Sequence, residues 1–159
     1  MKPNLPRLLK LVDEVFQTRN DPTQIGFSED DMVKMNMLHS ACLQEAENED
    51  GPIAWVAAIP TSLVLMHEFL QETITERELF DSTSEQTPKE AIYLCSAIVL
   101  SEFRKTGVAF QLSLDAIGAM QRQWPISAVF VWPFSEEGKQ LAHKIAATCE
   151  LALLVRPHN

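Results

Sequence analysis

In Val99-Leu100-Ser101-Glu102-Phe103-Arg104-Lys105-Thr106-Gly107-Val108-Ala109 an apolar run gives way to a basic pair, a glycine and the start of a helical pattern. Residues 91–100 are almost wholly apolar, the pattern of a central strand covered on both faces. Residues 106–122 read as a helix, apolar on most sides and so buried, which Trp124-Pro125 ends. A glycine between such a strand and helix lets the backbone approach a ligand closely. The free N–H groups of the helix's first turn, with the positive end of its dipole, then form an anion site. Arg104 and Lys105 add charge beside it, and no other stretch of the sequence is built to cradle a phosphate. The alternative is an ordinary strand-to-helix turn with a solvated basic pair. A dinucleotide fingerprint needs three glycines, and this loop has one.

Further along the chain, residues 126–132 read as another buried strand. Ser135-Glu136-Glu137 caps a helix running to about Cys149, and residues 151–155 form a last strand. Strand–helix–strand–helix–strand predicts an α/β fold with helices on the faces of a sheet. Upstream, residues 53–59 are short, apolar and closed by Pro60, as in a buried strand. Asn48-Glu49-Asp50-Gly51 predicts a hairpin turn leading into it, the alternative being a helix that continues through residues 39–47. Residues 63–70 and 75–80 look helical, and the polar loop from Ser82 to Pro88 is too short for a domain linker. The chain opens with helices. Leu5, Leu8, Leu9, Val12, Val15 and Phe16 recur at helical spacing, with Asn4 as cap. Ser28 before Glu29-Asp30-Asp31 starts a second helix. Residues 1–159 read as a single domain.

The 159 residues are 46% hydrophobic and 22% charged, with a formal net charge of −9. That balance is of an ordinary globular protein and argues against a broad nucleic-acid or anionic-membrane interface, which needs clustered cations. The acidity is uneven. Residues 1–80 carry six basic and fourteen acidic side chains, a sum of −8; residues 81–159 carry seven and eight, a sum of −1. An anionic ligand is better received in the second half and a cationic one in the first. The start of the chain lacks a signal peptide's apolar core, and the apolar runs are about half the length that spans a bilayer. Cys42, Cys95 and Cys149 lack the spacing of a metal knuckle or a CxxC pair. Reduced thiols in a cytoplasmic protein without a bound metal are the expectation.

Arg104, Gly107 and Ala109, with Val99 and Glu102-Phe103 ahead of them, resemble the loop of the GNAT superfamily of acyl-CoA N-acyltransferases. The resemblance spans residues 39–155: a hairpin, a central strand, the loop and helix, then strand, helix and strand. It implies a central mixed sheet with helices on both faces, here behind a helical N-terminus. It also implies that the loop amides at Arg104, Lys105, Thr106, Gly107, Val108 and Ala109 hold the pyrophosphate of acetyl-CoA. Ile98, Val99 and Leu100 pair with the pantetheine arm, and a splay between two parallel strands admits the thioester. The implied activity is acetyl transfer to an amine, on a small molecule or a protein, with a homodimer allowed. No catalytic residue is identified. Many members carry Asn-x-x-Ala-x-x-Leu-Tyr after the splay, with the tyrosine as leaving-group acid; here the run is Ser135-Glu136-Glu137-Gly138-Lys139-Gln140-Leu141-Ala142. Ala142 stands at the tyrosine position, so a GNAT-fold protein that binds an acyl-CoA or a partner without turnover is the alternative. An unrelated α/β interaction domain is the third.

Other residues have plainer readings beside functional ones. His67, Glu68 and Glu72 lie on one helical segment, with Glu68 and Glu72 on one face, as a candidate acceptor border or as a solvated surface. Glu102 is a candidate base, or a partner of Arg104. Tyr93 and Cys95 in the central strand read as core residues. His39 and Cys42 share a helical face but lack a second pair of ligands. Met32, Met35 and Met37 read as packing.

Overall fold

A computed structural model describes residues 2–16, 22–26 and 28–157. Its sheet consists of β1 (Leu43–Asn48), β2 (Gly51–Thr61), β3 (Ala91–Val99), β4 (Ala128–Val131) and β5 (Ala152–Val155), side by side in that order. β1, β2 and β3 are antiparallel neighbours, whereas β3, β4 and β5 run parallel. Around this mixed sheet lie α1 (Asn4–Phe16), α2 (Glu29–Leu38), α3 (Leu63–Leu70), α4 (Glu76–Ser82), α5 (Val108–Gln123) and α6 (Glu136–Cys149). The α/β class, the mixed sheet and the helical N-terminus are those expected from the sequence. No helix among the described residues is long and apolar enough to cross a membrane.

The hairpin reading holds. Asn48 pairs with Gly51, so Glu49 and Asp50 form the turn, and Gly51 takes φ +111°, where a side chain is strained. Alternation along β2 then sends neighbours to opposite faces. Trp55 packs with Leu8 and Val12 of α1, whereas Ala54 and Val56 pack with Leu112 of α5. The α1 face continues past Ile59 to Tyr93, its register partner, and so to Phe69 of α3. There Phe69, Tyr93 and Phe130 cluster with ring centres 5.1–5.9 Å apart, Tyr93 stacked on Phe130 and edge-on to Phe69. The Tyr93 hydroxyl donates to the buried carboxylate of Glu76, which also accepts from the Ile25 N–H at 2.7 Å. Burial, then the Glu76 charge, pushes the Tyr93 phenol well above its usual range. Tyr93 is thus the core residue expected.

Several boundaries and partners differ from expectation, each for a local reason. Pro60 does not close β2: it pairs with Ile92 beyond the last β1 partner, Ala57, so its missing N–H faces no neighbouring strand. Asn4 does not cap α1. Its side chain is buried, donating to Asn48 Oδ1 at 3.0 Å, and its own N–H donates to the Asp50 carbonyl. It therefore ties α1 to the hairpin turn. On α1, Leu8 and Val12 are buried, Leu5 and Leu9 are exposed, and the side chains of Val15 and Phe16 lie outside the described residues. α5 begins at Val108 rather than Thr106 and buries one face (Leu112, Ala116, Ile117, Met120), not most sides, because only one flank meets the sheet. β4 begins at Ala128 rather than Ile126, and the Ser127 N–H donates to the carbonyl of Glu90, the residue just ahead of β3.

Glu68 and Glu72 do not share a helix. α3 ends at Leu70, and Glu72 sits in the following turn with φ +64°. His39 and Cys42 lie beyond the end of α2 rather than on a helical face. His39 Nδ1 accepts from the Ala41 N–H at 2.9 Å, and its ring meets Trp124 edge-on. Of the three methionines only Met35 packs in the core; Met32 and Met37 are exposed.

Candidate functional site

The site begins where β3 parts from β4. Their register runs from Ala91↔Ala128 to Leu94↔Val131 and stops, while β3 stays paired with β2 as far as Val99. At the parting point Ala57 faces Ser96 and Ala58 faces Leu94, so Cys95 is an extra residue, a β-bulge. A bulge bends its strand and increases the local twist. Residues 95–99 thus turn one backbone edge away from β4, and a cavity of about 750 Å³ opens beside Ala97, Ile98 and Val99.

The loop after β3 closes one end of this cavity. A single 3-10 turn, Ser101–Phe103, is followed by Lys105 at φ +64° and Gly107 at φ +87°. Thr106 Oγ1 donates to the Phe103 carbonyl at 2.6 Å, which tightens the bend. Gly107 is the N-cap of α5, and a Cβ placed there meets nothing within 4 Å. Its backbone angle, not crowding, is what calls for glycine. Serine side chains cap α2, α3 and α6, and Thr75 forms a capping box on α4; no side chain caps α5. The first intrahelical bond runs from the Gln111 N–H to the Gly107 carbonyl, so the N–H groups before Gln111 are available to an anion.

The walls are more cationic than the sequence alone reveals. Arg104, Lys105 and Lys144 line the cavity against one carboxylate, Glu137. Glu102 does not pair with Arg104. It bonds Arg7 of α1 at 2.7 Å, which holds its carboxyl below the usual range and raises the Arg7 guanidinium. Among the described residues the Arg104 side chain makes one long contact, 3.4 Å, to the Val99 carbonyl. The salt bridge also lays α1 along the mouth, where Leu11 joins the wall.

Of the residues singled out in the sequence, Ile98, Val99, Arg104, Lys105, Gly107, Val108 and Ala109 line this one cavity. Leu100 does not: it is buried beside Leu8 and Trp55 and donates its N–H to the Ile53 carbonyl. Thr106 shapes the loop without joining the wall. His67, Glu68 and Glu72 lie away from it. Sequence reading missed Leu11, Phe110, Leu141, Glu137 and Lys144. The last three recur at i, i+4 and i+7 on α6, but only packing shows that this face looks into the cavity. Burial, with Glu76 nearby, pushes the Cys95 thiol well above its ordinary value, as unsuited to a nucleophile as the sequence reading expects. Ala142 is buried in the α6 core face.

The fold and the cleft define a mixed-sheet α/β domain whose parted parallel strands and uncapped helix N-terminus share one cation-rich cavity. No family model and no curated protein matches the chain. Among solved structures, the chain is similar to one described as an acetyltransferase from Agrobacterium tumefaciens. They share 15% identity with a TM-score of 0.48, over 100% of this chain and 92% of that one. A second, described as an acetyltransferase, is 17% identical with a TM-score of 0.45, over 94% of this chain and 85% of that one.

Proposed function

We propose that the protein transfers an acyl group, acetyl in the simplest case, from its coenzyme A thioester to an amine. One observation carries this reading: the free edge of β3 and the uncapped N-terminus of α5 meet in a single cavity with three cations on its walls. A pyrophosphate suits the loop, where first-turn amides and Arg104 and Lys105 supply donors and charge. An extended amide-bearing arm suits residues 97–99, whose outward backbone groups lack a strand neighbour and can pair with it. The thioester then reaches the parting point near Cys95.

There the neutral amine nitrogen bonds to the thioester carbon, and a strand N–H can stabilise the oxyanion. As the C–S bond breaks, the amine proton passes to a base or water, and the thiolate takes up a proton to leave as free thiol. The acceptor we infer is a cationic amine on a small molecule or a protein, drawn by the face that carries α1, α3 and α4. It arrives at a half of the chain summing to −8, away from the cations of the cavity. Cys42, Cys95 and Cys149 are free thiols, consistent with a cytoplasmic setting. A second reading, binding without turnover, is favoured by one observation: Ala142 and the sole tyrosine are both in the core.

Calorimetric titration with acetyl-CoA tests the reading. Saturable heat is expected, weakened at least about tenfold by Arg104→Ala combined with Gly107→Val. No saturable heat, or binding indifferent to that pair, overturns it. A thiol-release assay over a panel of amines then separates turnover from binding alone. Activity confined to anionic acceptors overturns the cationic acceptor.

A further inference from the structure

The cations of the cavity stand in two places. Arg104 and Lys105 belong to the loop before Gly107, whereas Lys144 projects from α6, its Nζ 4.3 Å from the centre of the Phe110 ring. Both Phe110 and Lys144 line the cavity. Phe110 is three residues past the Gly107 cap, so the two cationic places are offset by about one turn, some 5 Å, along α5. Glu137 shares the cavity-facing side of α6 but lies seven residues earlier, about 10 Å along the axis. Among the described residues Lys144 makes no ion pair. A lysine seated on an aromatic face is held in position, yet keeps N–H donors and its whole charge for an incoming anion.

One anionic group bound at the loop thus leaves Lys144 facing the cavity with its charge unmet, and a ligand with a second, separate phosphate meets both. We propose that Lys144, seated on Phe110, is a second anion subsite that reads the ribose 3′-phosphate of coenzyme A and sets the preference for it over dephospho-coenzyme A. This rests on the acyl-transfer reading above. It assigns to α6 a recognition role separate from the loop.

Titration calorimetry of the whole chain with coenzyme A and with dephospho-coenzyme A tests it, using the wild type, Lys144→Gln and Lys144→Arg. Lys144 is exposed on a helix and glutamine is a good helix former, so the fold survives the change. The wild type is expected to prefer coenzyme A about tenfold, the worth of one charge-assisted contact. Lys144→Gln is expected to bind the two alike, with its affinity for dephospho-coenzyme A within about twofold of the wild type, and Lys144→Arg to restore the preference. A preference that persists in Lys144→Gln, or none in the wild type, overturns the subsite alone. Saturable binding of neither ligand overturns the acyl-transfer reading and the subsite with it.

Discussion

The two ends of β3 share one strand and a similar apolar composition, yet they do different work. Residues 91–94 are hydrogen-bonded on both sides and hold the ring cluster of Phe69, Tyr93 and Phe130. Residues 96–99 keep only the β2 neighbour, and Ala97, Ile98 and Val99 among them wall a cavity. Cys95, the extra residue between them, marks the change. A bulge is a cheap way to release one edge of a strand while the other stays anchored. The first end therefore carries stability, and the second is free to meet a ligand.

The largest effects are expected at the first end. Phe69→Ala removes a fully buried ring from the cluster and should cost about 3–5 kcal/mol in urea unfolding. A loss near zero would show that the ring cluster is not what anchors β3. Gly107→Val, at the cavity end, forces a β-branched residue to φ +87°, a strain of about 1–3 kcal/mol. Its larger signature is on acetyl-CoA binding, expected to fall at least about tenfold with the melting transition still cooperative. Tyr93→Phe leaves the buried Glu76 without its hydroxyl donor and should cost about 1–2 kcal/mol with no change in ligand affinity. An affinity loss there would mean that the two ends are coupled.

The smallest effect concerns the tie between α1 and the loop. Arg7 holds the Glu102 carboxyl below its ordinary value, so the stabilisation is complete above the unfolded carboxylate range, near pH ~4.3, and disappears as the pH falls through the lower folded value. Glu102→Gln should therefore be slightly less stable than the wild type at neutral pH, and the two unfolding curves should converge in acid. A gap of constant size across that range would show that the salt bridge contributes nothing. The pair is exposed, which keeps the effect small.

Most elements were legible because their signals are local. The Asp50-Gly51 turn, the serine caps at Ser28 and Ser135, the apolar run of β3 and the glycine ahead of α5 each act within a few residues. The loop half of the site was legible for the same reason. The wall formed by α6 was not, since Glu137, Leu141 and Lys144 announce a helical face without saying what it faces. The Arg7–Glu102 bridge joins residues 95 positions apart, and no local pattern distinguishes Arg7 from Arg104 as the partner. Asn4 looked like a cap because asparagine commonly caps helices; the hairpin turn outcompetes the helix for its side chain.

The order of most strands and helices, the glycine-bearing loop ahead of α5 and the uneven charge were legible in the sequence, which left residues 39–47 open between helix and strand, since periodicity, turn chemistry and composition are properties of neighbouring residues. The tertiary structure decided where β3 lets go of β4, which helix faces the opening and which cations gather there. Those depend on register and on packing between distant segments: a bulge exists only relative to a partner strand, and a cavity only relative to the walls that leave it open.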